Sequence, residues 1–81
     1  MDTREAVAKR IVELCKEREV TINKISTISA VPQSTLNDII NGTTKNAGIV
    51  TIKELCDGFE IPLPEFFNTK DFIELEQEIK W

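Results

Sequence analysis

Apolar positions recur every three or four residues along most of the chain, which predicts helices and no strand-like alternation. Val7, Ile11 and Leu14 step by four and three, with Cys15 widening the stripe, so residues 3–18 read as a helix. Asp2 or Thr3 caps its start, Glu5 sits at the favourable end of the helix dipole, and the stem of Arg18 extends the apolar face by another turn. Lys9 and Glu13 lie one turn apart on an exposed face and read as surface charge, the alternative being that Arg4, Lys9 or Arg10 reaches a phosphate. Behind Thr21, an effective N-cap, Ile22, Ile25 and Ile28 repeat by three. A strand would put these isoleucines on conflicting faces, so a helix of about two turns is the better reading. Ser26 is small enough to admit a neighbouring helix. The pattern breaks at Ser29-Ala30-Val31-Pro32, because proline lacks the helical donor and restricts the residue before it.

Residues 33–40 form the next helix, with Leu36 and Ile39 or Ile40 inward and Gln33, Ser34, Asn37 and Asn41 outward. Pro32 is tolerated at its start, and Asn41-Gly42 ends it with two residues that readily take left-handed geometry. Thr43 to Gly48 is a polar connection. Ile52, Leu55, Cys56 and Phe59 make the inward stripe of a helix over residues 51–59, which Gly58 helps to terminate. Ile61-Pro62-Leu63-Pro64 turns the chain into a short helix at Glu65-Phe66-Phe67. Phe72, Leu75 and Ile79 then predict a C-terminal helix over residues 70–80, with Trp81 at its edge.

Eighty-one residues allow one small domain, and 41% hydrophobic with 30% charged residues suits a folded chain. With no histidine and two widely separated cysteines, neither a zinc site nor a hydrolytic triad can be assembled, and no glycine-rich phosphate loop is present. No cofactor, metal ligand or catalytic residue is therefore expected. The start of the chain reads as lacking an apolar leader and no run approaches membrane-spanning length, so the expectation is a cytoplasmic protein with Cys15 and Cys56 reduced in the core.

Charge is distributed unevenly. Net charge is −4, yet residues 1–59 hold 8 acids and 8 bases while residues 60–81 hold 6 acids and 2 bases. Between residues 20 and 50 only Lys24, Asp38 and Lys45 are charged, and Ser, Thr and Asn fill 12 positions, a composition suited to hydrogen bonding with phosphates and base edges.

The stretch from Val20 through Pro32 to Gly42, continued by Thr51-Ile52-Lys53-Glu54-Leu55-Cys56-Asp57-Gly58-Phe59 and Leu63-Pro64-Glu65-Phe66-Phe67, resembles the phage repressor and Cro family of helix-turn-helix regulators, the lambda repressor-like or XRE type. The resemblance covers residues 4–68. It implies an all-α, lambda repressor-like helix-turn-helix bundle of five helices plus a short C-terminal helix, with residues 1–68 as the DNA-binding domain and residues 69–81 capping it or mediating dimerisation. Residues 22–29 would support a recognition helix at 33–40. By position, Ser26 matches the family's small supporting residue, Ala30 falls where the turn often has glycine, and Val31 matches the buried residue after it. Ile22 and Pro32 depart from the family's usual polar residues at their positions.

The resemblance implies a small transcriptional regulator that binds double-stranded DNA and more often represses than activates, and the few basic residues near the proposed face point to two half-sites and so to a homodimer. Gln33, Ser34 and Asn37 become the candidate base-contacting residues, since Gln and Asn amides can pair bidentately with adenine in the major groove. Lys24, Thr43, Lys45 and Asn46 are the candidate phosphate contacts. Asp38 would oppose phosphate affinity, accept from cytosine N4 or orient Asn37. The alternative is a module that uses the same fold to bind a regulatory protein partner without specific DNA recognition.

Overall fold

The computed structural model describes residues 1–44 and 46–79. Six helical pieces follow one another: α1 (Thr3–Glu17), α2 (Ile22–Ser29), α3 (Gln33–Asn41), α4 (Ile49–Phe59), α5 (Leu63–Phe67) and α6 (Lys70–Ile73), with no strand among the described residues. α1 starts with a reciprocal capping box. The Asp2 carboxylate accepts from the Glu5 amide at 2.8 Å, and the Glu5 side chain accepts from the Asp2 amide at 3.2 Å. That amide holds the Asp2 carboxyl below its ordinary pKa.

α1 lies along α3, α2 packs on both α3 and α4, α5 docks on α4, and α6 returns to α1. Their inner faces meet in one core that includes Ile11, Leu14, Ile25, Leu36, Leu55 and Phe66. Phe66, Phe67 and Phe72 interlock with ring centroids 5.0 to 6.0 Å apart, mostly edge to face, which fastens α6 to α5. Cys15 and Cys56 are buried free thiols, and burial pushes both above the ordinary thiol pKa.

Several elements differ from the sequence reading. α1 stops at Glu17, so Arg18 is an exposed cap residue and not a further turn of the stripe. Ile28 is 49% exposed, and Ser29 takes the inward place. A strict three-residue step falls short of the 3.6-residue turn, so after Ile22 and Ile25 the buried line continues at spacing four. Gly58 does not end α4. The helix runs to Phe59 and the left-handed residue is Glu60, at φ 61°.

The C-terminal helix predicted over residues 70–80 ends at Ile73. Beyond it the chain is irregular through Ile79, which is 66% exposed. Three glutamates at alternate positions with only Leu75 and Ile79 inward leave too little apolar surface to stabilise more turns. The positions of Lys80 and Trp81 lie outside the described residues.

Arg10, one of three bases read as able to reach a phosphate, is instead 9% exposed. Its Nε donates to the Phe66 carbonyl at 2.8 Å and its terminal guanidinium nitrogen to the Glu65 carbonyl at 3.0 Å. A cation there satisfies the carbonyl end of α5 and ties it to α1 across the domain. Lys9 reaches Asp71 at 2.8 Å and so anchors α6, which raises the lysine's pKa.

Candidate nucleic-acid interface

The α2–turn–α3 unit is shaped by residues whose side chains close on the backbone. Thr21 Oγ1 accepts from the Lys24 amide at 3.0 Å and starts α2. Ala30 ends it in left-handed geometry at φ 62°, where the family resemblance anticipates glycine. Ser26 Oγ donates to the Val31 carbonyl at 2.6 Å, Ser29 Oγ donates to the Ile25 carbonyl at 2.6 Å, and the Val31 amide donates to Ser29 Oγ at 3.3 Å. The two serines thus fix the turn from both sides, and the buried Val31 pins it to the core.

α3 begins after Pro32, which supplies no side-chain cap. The amides of its first turn are left for solvent or an anion. Leu36 and Ile39 are buried, and Ile40 packs partly against the core. Gln33, Ser34, Asn37, Asp38 and Asn41 are all exposed, and their spacings place them on one continuous polar face. The structure therefore brings the three candidate base-contacting residues together.

Asn23 adds a contact that the sequence reading missed. Its Nδ2 donates to Gln33 Oε1 at 3.0 Å, bridging the start of α2 to the start of α3. The Gln33 oxygen keeps a second lone pair and its amide NH2 keeps both donors, so the bond orients the group without consuming its capacity to read a base. The sequence carries no local signal for it, because the contact depends on how α2 crosses α3.

At the other end of α3, Gly42 adopts φ 78°, and the Thr43 and Thr44 amides close on the Asp38 carbonyl at 2.9 and 3.2 Å. Asn41, paired with Gly42 as left-handed in the sequence reading, stays helical. Thr43 and Asn46 are exposed in the loop and Thr44 is half-buried, while Lys45 lies outside the described residues. Lys24 is exposed on α2 and makes no ion pair among the described residues. Ile22 packs partly against the core, and its side chain has no donor for a phosphate. Of the N-terminal bases, Arg10 and Lys9 are committed to α5 and α6. Arg4 alone lines a cleft with Ile40, Asn41 and Gly42, and it lies 3.5 Å from Asp2.

A short helix supporting a second one, whose polar face stands clear of the core, defines a helix-turn-helix domain. A family model for the Cro/C1-type HTH DNA-binding domain matches residues 10–71, and the chain belongs to that family. Among solved structures it is similar to the prophage Lp1 protein 11, at a TM-score of 0.81 and 32% identity, with 93% of this chain and 100% of that one covered. No curated protein sequence matched the chain. Membership makes this a DNA-binding regulatory protein and not an enzyme.

Proposed function

We propose that the protein is a sequence-specific repressor that places α3 in the major groove of an operator and binds as a homodimer. The observation that carries this reading is the exposed polar face of α3, with the Gln33 amide held by Asn23 at 3.0 Å. Gln33 and Asn37 read base edges, Ser34 contacts an edge or a flanking phosphate, and Lys24, Thr43, Lys45 and Asn46 position the backbone. Arg4 adds a cation beside the C-terminal end of α3. So few cations per domain favour two half-sites, one turn of DNA apart, engaged by a symmetric pair. Occupancy then blocks polymerase without chemistry.

Selection on randomised duplex DNA tests the reading, with a paired, twofold-related motif as the expected result. Gln33→Ala and Asn37→Ala should each cost about 1 to 3 kcal/mol against the preferred base and relax the preference there. A folded double variant with unchanged affinity and preference would exclude this face.

A further inference from the structure

The segment after α6 stays on the domain. The Glu76 amide donates to the Met1 carbonyl at 3.4 Å, and the Met1 ammonium lies 3.8 Å from Glu76 Oε1. Its base is held by the Lys9–Asp71 pair at 2.8 Å and by Phe72 against Phe66 and Phe67. Two residues beyond Glu76, Glu78 lines a cleft of about 550 Å³ together with Arg4, Ile39, Thr44 and Asn46. The exposed carboxylates of Glu74, Glu76 and Glu78 therefore run past the N-terminus of α1 towards the loop between α3 and α4. Residues 74–79 contain no base.

We infer that residues 74–79 form an acidic strap that limits DNA affinity by holding carboxylates beside the loop that meets the phosphate backbone. This rests on the reading of Thr43 to Asn46 as a phosphate-contacting loop. Glu74 lies 3.8 Å from Lys70 and Glu76 is near the Met1 ammonium, so Glu78 carries the least compensated charge of the three among the described residues. A carboxylate about 10 Å from a phosphate across water lowers an association constant about twofold at low salt. Three of them would lower it about eightfold, and the partial offset by Lys70 and the Met1 ammonium brings that to about threefold to sixfold. The repulsion fades as the screening length shrinks, so the strap also flattens the fall of affinity with salt.

The test uses the full chain carrying Glu74→Gln, Glu76→Gln and Glu78→Gln, which keep side-chain size and leave the Glu76 backbone bond intact. Glu17→Gln, Glu19→Gln and Glu60→Gln, at the far ends of α1 and α4, make the same change in net charge as a control. Affinity for the duplex enriched by the wild-type protein, and for a mixed-sequence duplex, is measured from low to moderate salt. The strap variant should bind about threefold to sixfold tighter at low salt, with the gap closing as salt rises, and the control should change less than about twofold. Binding by the strap variant alone would also uphold the inference. Equal gains in both variants would reduce the effect to net charge and overturn the strap, as would no gain in a wild type that binds DNA. Failure of every protein to bind either duplex would overturn the DNA reading and the strap with it.

Discussion

Gly58 decides how closely α4 approaches α2, and replacing it with alanine sets two effects against each other. A Cβ at position 58 would lie 3.0 Å from Ser29 Cβ, 3.1 Å from Ile25 Cδ1 and 3.4 Å from Ser29 Cα. Alanine is favoured over glycine in a helix by about 1 kcal/mol. Against that, one extra carbon in a packed contact costs about 1 to 3 kcal/mol. The balance turns on whether Ser29 can move. Its hydroxyl bonds both Ile25 and Val31, and the next residue is already left-handed Ala30, so displacement would drag the turn that places α3. We therefore expect Gly58→Ala to lose about 1 kcal/mol, lowering Tm by about 6 °C for a domain of this size, and to weaken DNA binding more than stability alone explains. Thermal unfolding followed by far-ultraviolet circular dichroism gives the first quantity and operator titration the second. In a cycle with Ser29→Gly the two changes should couple favourably, because each relieves the other. A rise in Tm for Gly58→Ala alone would show that the α2–α4 contact is loose and refute the reasoning.

Arg10→Met keeps the apolar stem but removes two charge-assisted bonds to the end of α5, and should cost about 2 to 4 kcal/mol in urea unfolding; no change would mean the carbonyls are equally well served by water. Ala30→Gly relieves a left-handed alanine at φ 62° and should stabilise the fold by about 0.5 to 1 kcal/mol after the larger entropy of the unfolded glycine is subtracted, read as a higher midpoint at unchanged m-value. Cys15 and Cys56 should react with a thiol reagent only as fast as the protein opens. Since burial raises both pKa values, the stability they contribute is complete below the unfolded thiol range, about 8.5, and declines as pH rises through it towards the native values; rapid labelling of the native protein at pH 7 would contradict this.

Helix positions were legible wherever apolar spacing and a local stop signal agreed. Thr21 marks the start of α2, Pro32 the start of α3 and Gly42 its end, and the four inward residues of α4 are all buried as read. What escaped the sequence was long-range. Nothing near Arg10 in the chain points to carbonyls 55 and 56 residues away, although the spacing from Val7 and to Leu14 sets position 10 at the edge of the inward stripe of α1. The helix ends at Glu19, Ala30 and Glu60 carry no glycine, so their left-handed geometry has no compositional mark and is imposed by packing on either side. In the site, the outward face of α3 was visible because Leu36 and Ile39 fix the inward one. The Asn23–Gln33 bond was not, since it depends on how α2 crosses α3.

How an acidic chain in a DNA-binding family recognises its ligand follows from where its charges sit. Phosphate attraction is strong only where cations gather, and the described surface of α2, α3 and the following loop offers Lys24 with Asp38 opposing it. Amide contacts to base edges add discrimination that does not require a net positive face, but they demand that the amides be aimed before the DNA arrives. On the proposed reading, three features hold the α3 amides in place: Gly58 lets α4 brace α2, Ser26 and Ser29 fix the turn that carries α3, and Asn23 orients Gln33 at its tip. Each of them immobilises groups at folding that would otherwise lose entropy on binding, so the proposed base reading draws on preorganisation where more basic domains draw on charge. With few cations per domain a single half-site is a poor anchor, and the proposed twofold pair would gain by effective concentration without adding any cation to the surface.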